Sequence, residues 1–290
     1  MRVCLMIEGQ EGVTWDQWRA LATTAEAAGF DALFRSDHYM SLEDVPGNGS
    51  LDAWATINAL AALTSTIRLG TLVSPATFRH PSVLAREVVT ADHVSGGRVE
   101  LGLGAGWHEG EHAAFGFPFA STKERFDRLE EQMEIVHRSW TEGPFDFRGS
   151  HYTLQHTNPL PKPVQEPHPP LIAGGSAKPR GAALAARWAD EYNTVYATLD
   201  ECRERRERIA AACQEAGRDP IRFSLMTSFA IDGDSSDHHP AWIVGSIDEM
   251  AAQLKQLEEA GVDGIMLQHL QHDDLEAVEL IGRELIPAVS

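Results

Sequence analysis

The chain is poor in cysteine: Cys4, Cys202 and Cys213 are the only three among 290 residues, and none forms a CxxC pair. Cys4 lies in the first apolar run and the other two within what reads as one helix. Reduced structural thiols of a cytoplasmic protein are therefore expected rather than a disulfide framework. Cationic residues are also scarce: Lys and Arg total 24 against 43 Asp and Glu, a formal net charge of −19. Such a surface repels phosphate backbones and anionic lipid, so neither nucleic acid nor membrane is expected as a partner. A local nest of backbone N–H groups could still hold an anionic cofactor. Long apolar runs are missing too. No stretch approaches the roughly 20 residues that cross a bilayer, and the opening MRVCLMI is cut short by Glu8, too early for a signal-peptide core.

What is present is alternation. Hydrophobic residues make up 43% of the chain, enough for a sizeable core. Arg2–Ile7 reads as a strand and Thr14–Ala28 as a helix, with Thr14 as N-cap and Gly29 as its stop. Strands are expected at Asp31–Arg35, Ile67–Val73, Val99–Leu103, Leu171–Ala173, Asp190–Tyr196, Ile221–Phe229 and Val262–Leu267, with helical stretches between them and a hairpin-like segment at Phe145–Leu154. Ala-Gly-Phe-Asp at 28–31 and Ala-Gly-Val-Asp at 260–263 repeat one turn chemistry, a glycine ending a helix and an acid opening a strand. No composition break divides residues 1–290, so one domain is expected. Eight strands in this rhythm point to a (β/α)8 TIM barrel with insertions at the C-terminal face. A doubly wound open sheet has the same rhythm.

In a barrel, the strand ending Phe34-Arg35-Ser36-Asp37-His38 sets an ionisable pair at the C-terminal mouth, where such folds place catalytic groups. A His beside a carboxylate can hold, donate or accept a proton near neutral pH. His108-Glu109-Gly110-Glu111-His112 fits the H-E-x-x-H pattern of zinc hydrolases, but it follows a strand and a glycine loop, and Gly110 weakens a helix between the histidines. Gly102-Leu103-Gly104-Ala105-Gly106 is an incomplete dinucleotide fingerprint, because Trp107 stands where its last glycine belongs. As a barrel mouth, Ala105–Trp107 would let backbone approach a flat ligand. Ala173-Gly174-Gly175-Ser176 lies between a strand and a helix, where backbone N–H groups can form an anion nest, or it is a plain turn.

Taken together, AAGFDALFRSDH, TSTIRLGTLVSPATFRHPSVLAREVVTADHVSGGRVELGLGAGWHEGEHAAFG, PLIAGGS, RWADEYN and EEAGVDGIMLQ resemble the luciferase-like flavin/deazaflavin oxidoreductase superfamily over nearly the whole chain. GAGWHEGEHAAFG and FRHP look like its branch that uses the deazaflavin coenzyme F420. The resemblance implies that Asp37 and His38 stand beside the reactive face of the ring, and that His38 serves in proton transfer or charge stabilisation. It implies contact with the cofactor at Thr71, Leu72 and Val73, with a non-proline cis peptide at Leu72-Val73. Ala105, Gly106 and Trp107 would line the ring, and Gly174, Gly175 and Ser176 would bind phosphate. Two departures bear on activity. Some deazaflavin sugar-phosphate dehydrogenases carry an acidic proton donor where Trp107 stands, leaving Glu109 as the nearest carboxylate, and they carry an aromatic residue where this chain has Leu42.

The function so implied is hydride transfer between coenzyme F420 and a small organic substrate. FMN-dependent monooxygenation is the alternative, a zinc hydrolase through His108-Glu109-x-x-His112 a remote one, and a non-catalytic cofactor-binding protein a third class. No metal is expected. The resemblance also implies a homodimer.

Overall fold

The computed structural model describes residues 1–43 and 45–289. Its strands are β1 (Arg2–Ile7), β2 (Ala32–Arg35), β3 (Arg68–Pro75), β4 (Val99–Gly104), β5 (Phe145–Arg148), β6 (Thr153–Thr157), β7 (Leu171–Gly174), β8 (Glu191–Val195), β9 (Arg222–Ile231), β10 (Ile243–Gly245) and β11 (Gly264–Gln268). Its helices are α1 (Trp15–Ala27), α2 (Ala53–Leu63), α3 (Pro81–Ser95), α4 (Glu109–Phe115), α5 (Thr122–Thr141), α6 (Pro179–Trp188), α7 (Leu199–Glu215), α8 (Ile247–Glu259), α9 (Leu275–Leu280) and α10 (Ile286–Val289). Neighbours pair in the order β9, β11, β1, β2, β3, β4, β7, β8, all parallel, and β8 pairs back to β9. The sheet is a closed eight-stranded barrel, which sets the open-sheet alternative aside. β10 extends the upper part of β9 outside the ring, and β5–β6 is an antiparallel hairpin.

Strand alternation sorts the side chains into two cores. Cys4, Met6, Ala32, Phe34, Leu72, Ile172, Met226 and Met266 point inward and fill the barrel. Their neighbours Val3, Leu5, Ile7, Leu33, Leu69, Leu101 and Leu103 point outward and pack with Leu21, Ile57, Leu84 and Met133 of the helices. Acids that open strands have a repeated task. Asp31 accepts the N–H of Val3, Asp190 that of Leu171 and Asp263 that of Phe223, each at 2.8 Å. Each clamps the first residues of an adjacent strand and so fixes the register, which gives the Ala-Gly-x-Asp repeat a structural cause. The floor of the barrel is charged: Glu100 receives Arg2 at 2.7 Å and also the Arg68 guanidinium, while Glu191 accepts the Ser224 hydroxyl at 2.6 Å.

Several elements depart from expectation. α4 forms through the HEGEH segment. The His108 ring accepts the Glu111 N–H, Gly116 closes the helix in the left-handed region, and Gly110 falls in the first turn, where its cost is small. β3 runs past Val73 to Pro75, with a register shift between Thr71 and Ser74 against β4. The hairpin lies on the return from α5 to β7, packs on Ile135 of α5 and sets Tyr152 against His80 just past the C-terminal end of β3. The last helix passes through a π-turn at Ile281–Leu285. There a Cβ on Gly282 would stand 2.4 Å from Ala28 of the α1 cap. No helix among the described residues is long and apolar enough to cross a membrane.

Candidate active site

β2 carries the chain up through the barrel wall and releases it at Ser36, Asp37 and His38. Asp37 is 1% exposed. Its Oδ2 accepts the Ser74 hydroxyl and the Arg79 guanidinium, each at 2.6 Å, while its Oδ1 is buried with no partner. Arg79 also reaches Asp52 at 2.5 Å and Glu87 at 3.4 Å. Burial would lower the guanidinium's pKa, but the Asp37 and Asp52 charges outweigh it and hold it above the ordinary value. Asp52 in turn caps α2. Arg79 thus ties Asp37 to the helices behind it.

His38 has a different partner from the one the sequence suggested. Its Nδ1 lies 2.7 Å from Glu111 Oε2, and the other Glu111 oxygen accepts the Tyr39 N–H at 2.5 Å. Burial opposes a charged His38 ring, but the hydrogen bond and charge of Glu111, helped by Glu8 and Asp37, outweigh it and raise the pKa. Burial likewise pushes the Glu111 carboxyl up, and His38 together with the backbone N–H groups brings it below its usual range. With the Nδ1 proton given to Glu111, a neutral His38 presents Nε2 as an acceptor. Trp107 meets the ring edge-on, with centroids 5.8 Å apart.

Glu109 lies exposed in the first turn of α4. Sequence reasoning therefore missed the carboxylate that bonds His38. The available signal was capping: a helix beginning after His108 puts Glu111 at its third position and turns Glu109 to another face. The same geometry dismantles the zinc pattern. His108 caps the helix, and His112 spends Nδ1 on the His108 carbonyl and Nε2 on Thr77, each at 2.7 Å. Among the described residues no group of three or more His, Cys, Asp or Glu side chains is arranged to hold a metal.

Across the mouth from His38 the wall is bare. The peptide Leu72-Val73 is cis, as the resemblance implied. Thr71 is fully buried and bonds the Gly102 carbonyl. A Cβ on Gly102 would lie 2.1 Å from the Thr71 carbonyl oxygen, and one on Gly104 would lie 2.7 Å from Val73 Cγ2. These glycines are therefore required by the packing of β3 on β4, which accounts for the incomplete fingerprint. Val73 also reaches the Cβ position of Gly174. Beyond β4, Ala105 and Gly106 are partly exposed, Gly106 turns through φ +77° against Thr77, and Trp107 is 62% exposed.

Gly174, Gly175 and Ser176 expose their backbone at the tip of β7. Gly175 has φ 147° and Ala177 φ 50°, and the Ala177 N–H is held by the Tyr192 hydroxyl at 2.7 Å. α6 follows at once, with no side chain capping its first turn. The Gly175 N–H is spent on the Asn193 carbonyl at 3.0 Å, so the donors left for an anion are the Ser176 N–H and the first turn of α6. Arg180 is committed to Asp127 at 2.5 Å. The structure thus brings Asp37, His38, Val73, Gly104 and Gly174 to one barrel end and adds Glu111, Arg79 and Ser74.

Comparison with known proteins points to one family. The model of the family described as "Luciferase-like monooxygenase" matches residues 2–239. The chain is 31% identical over 221 residues to an F420-dependent hydroxymycolic acid dehydrogenase of Mycobacterium tuberculosis, covering 76% of this chain and 60% of that protein. It is 35% identical over 172 residues to an F420-dependent glucose-6-phosphate dehydrogenase of Amycolatopsis mediterranei, covering 59% and 50%. It is 30% identical over 190 residues to an FMNH2-dependent dimethylsulfone monooxygenase of Pseudomonas putida, covering 64% and 50%. The chain spans 50% to 60% of the length of these relatives. Among solved structures, an F420-dependent secondary alcohol dehydrogenase with an F420-acetone adduct superposes with a TM-score of 0.86 at 21% identity, over 100% of this chain and 99% of that one. A barrel of this topology, with a family match across most of its length, leaves one conclusion: the chain belongs to the luciferase-like monooxygenase family.

Proposed function

We propose that the protein is an oxidoreductase that moves a hydride between the deazaflavin coenzyme F420 and a small organic substrate. The observation that carries this reading is the pairing of a proton-handling dyad, His38–Glu111, with a bare wall of Val73, Gly104 and Gly174 at one barrel end. The residues fit such a cofactor. The buried Asp37 Oδ1 awaits a donor, and the turn at Gly174–Ser176 before α6 suits a phosphate. In this reading Asp37, Thr71, Leu72, Val73, Ala105, Gly106 and Trp107 border the ring, and Gly174, Gly175 and Ser176 hold its phosphate tail.

When bound, a deazaflavin supplies a carbon that gives or takes a hydride. His38 takes or returns the accompanying proton at Nε2, while Glu111 fixes its tautomer and stabilises the charged ring. Arg79 and Ser74 hold Asp37 in place. Trp107 narrows the mouth beside His38 and limits water. A second copy of the chain is part of the same proposal, carried by the resemblance.

FMN-dependent monooxygenation is the second reading, favoured by the similarity to the dimethylsulfone enzyme. Fluorescence titration of the purified chain with each cofactor decides between them. Coenzyme F420 is expected to bind at least about tenfold tighter than FMN; the reverse order overturns the proposal.

A further inference from the structure

The mouth has two unlike halves, and the half nearer β1 says something about the substrate. Following the inward alternation beyond Met6, Phe34, Met226 and Met266, the next inward positions are Glu8, Ser36, Ser228 and Gln268. They form one hydrogen-bonded array with Tyr196. Gln268 Nε2 donates to Glu8 Oε1 at 2.6 Å and Gln10 Nε2 to Glu8 Oε2 at 2.8 Å. The Ser228 hydroxyl donates to Gln268 Oε1 at 2.6 Å, and the Tyr196 hydroxyl donates to the same oxygen. Ser36 gives its proton to Gln10. Tyr196 reaches this position because its backbone takes φ 45° at the tip of β8, turning the ring over the mouth.

The direction of these bonds decides what the array can still offer. Every hydroxyl proton in it is committed inward. Gln10, Ser36, Ser228 and Gln268 are buried, so the groups left partly exposed are Glu8 and Tyr196. Glu8 presents carboxylate lone pairs, and Tyr196, its proton spent on Gln268, presents phenol lone pairs. Among the described residues no cation pairs with Glu8. Arg79 is neutralised by Asp37, Asp52 and Glu87. Arg35 points outward onto Trp18, donates to Ser36 O, Ser50 and Leu51 O, and has its pKa pushed down by burial to about 10.

We propose that this half of the mouth selects substrates by their hydrogen-bond donors: a small polyol or amino alcohol is held by Glu8 and Tyr196, and anionic groups such as carboxylate or phosphate are rejected. The proposal rests on the active-site reading above. A phosphate or carboxylate placed between Glu8 and Tyr196 would face acceptors, while the nearest cationic groups, Arg79 and His38, are already paired with carboxylates, and a buried acceptor facing an acceptor loses its solvation without return. A hydroxyl or ammonium would replace the lost water with donors.

The test is a matched series sharing one CH(OH)CH3 unit: 1-amino-2-propanol, 1,2-propanediol, 2-butanol and lactate, titrated by NMR onto the full chain with and without coenzyme F420. The amine and the diol are expected to bind more tightly than 2-butanol, with lactate weakest, about tenfold below the diol. In Glu8→Gln the spread between amine and lactate, which one charged hydrogen bond sets at about tenfold or more, collapses to about twofold. In Tyr196→Phe the diol loses its advantage over 2-butanol, which keeps the idea testable if the Glu8 variant does not fold. Lactate binding as tightly as the diol, no binding of amine or diol, or an unchanged spread in folded Glu8→Gln overturns it. Failure of the cofactor reading would show separately, as weak coenzyme F420 binding with the order of the series intact.

Discussion

The two ends of the barrel both carry buried ion pairs, yet they differ in what is left unfinished. At the floor, Arg2 and Arg68 hold Glu100, and Arg2 and Arg222 flank Glu191 at 3.5 and 3.4 Å. Burial, and then repulsion from Glu100, pushes the Glu191 carboxyl up, while Arg2 and Arg68 bring Glu100 down against the cost of its burial. Each floor charge faces an opposite one. At the mouth, Arg79 serves Asp37 in the same way, but Asp37 keeps one buried oxygen without a donor, and His38 adds an imidazole whose proton affinity Glu111 raises. A charged network by itself is therefore a poor mark of a site. Incomplete hydrogen bonding beside a histidine is the better one.

Breaking each end separately sharpens that contrast. His38→Asn, whose amide can still donate to Glu111, is expected to lower turnover about 100- to 10,000-fold, the usual span for losing a general acid–base, while cofactor affinity and the unfolding midpoint stay close to wild type. Steady-state kinetics and cofactor titration on the same preparation check this, and unchanged turnover would remove His38 from the chemistry. Glu100→Gln at the floor should do the opposite. It leaves Arg2 and Arg68 without their shared carboxylate and costs about 3–5 kcal/mol of stability in urea unfolding, with cofactor affinity unaltered. A floor variant that loses cofactor binding but not stability would mean that the two ends are not separate.

The barrel was legible because its signals are local and repeated: inward and outward alternation, glycine stops, and acids that open strands. Asp37-His38 and Leu72-Val73 were legible because the motifs that carry the resemblance are continuous in sequence. Glu111 was not, for it sits two residues from Glu109 inside a pattern that suggested zinc, and only the cap made by His108 turns it toward His38. Glu8, Tyr196 and Gln268 come from three strands far apart in the chain. Their meeting depends on barrel closure and on one left-handed residue, neither of which a spacing rule reveals. The glycines of Gly102–Gly106 were visible, but their cause is the Thr71 carbonyl and Val73 pressing from β3.

The subtlest difference between the ends is their response to pH. The raised pKa of His38 means the folded protein holds that proton more firmly than the unfolded chain does. The charged pair with Glu111 therefore contributes its stabilisation in full below the ordinary histidine value, about 6.5. That contribution fades as pH climbs through the raised folded value. Glu111, held below its usual range, contributes above the unfolded carboxyl pKa and loses its share as pH falls through the lowered one. The pair is thus most favourable between these limits. Glu111→Gln removes the charge while leaving an amide able to accept from Nδ1, so burial then dominates and the His38 pKa should fall. In the direction that needs neutral His38 as a base, the rise of rate with pH moves to lower pH in this variant, and the His38 ring signal in an NMR titration moves with it. A floor variant such as Glu100→Gln should leave both curves where they are. An unmoved His38 titration in Glu111→Gln would mean that the dyad does not set the proton affinity of the mouth.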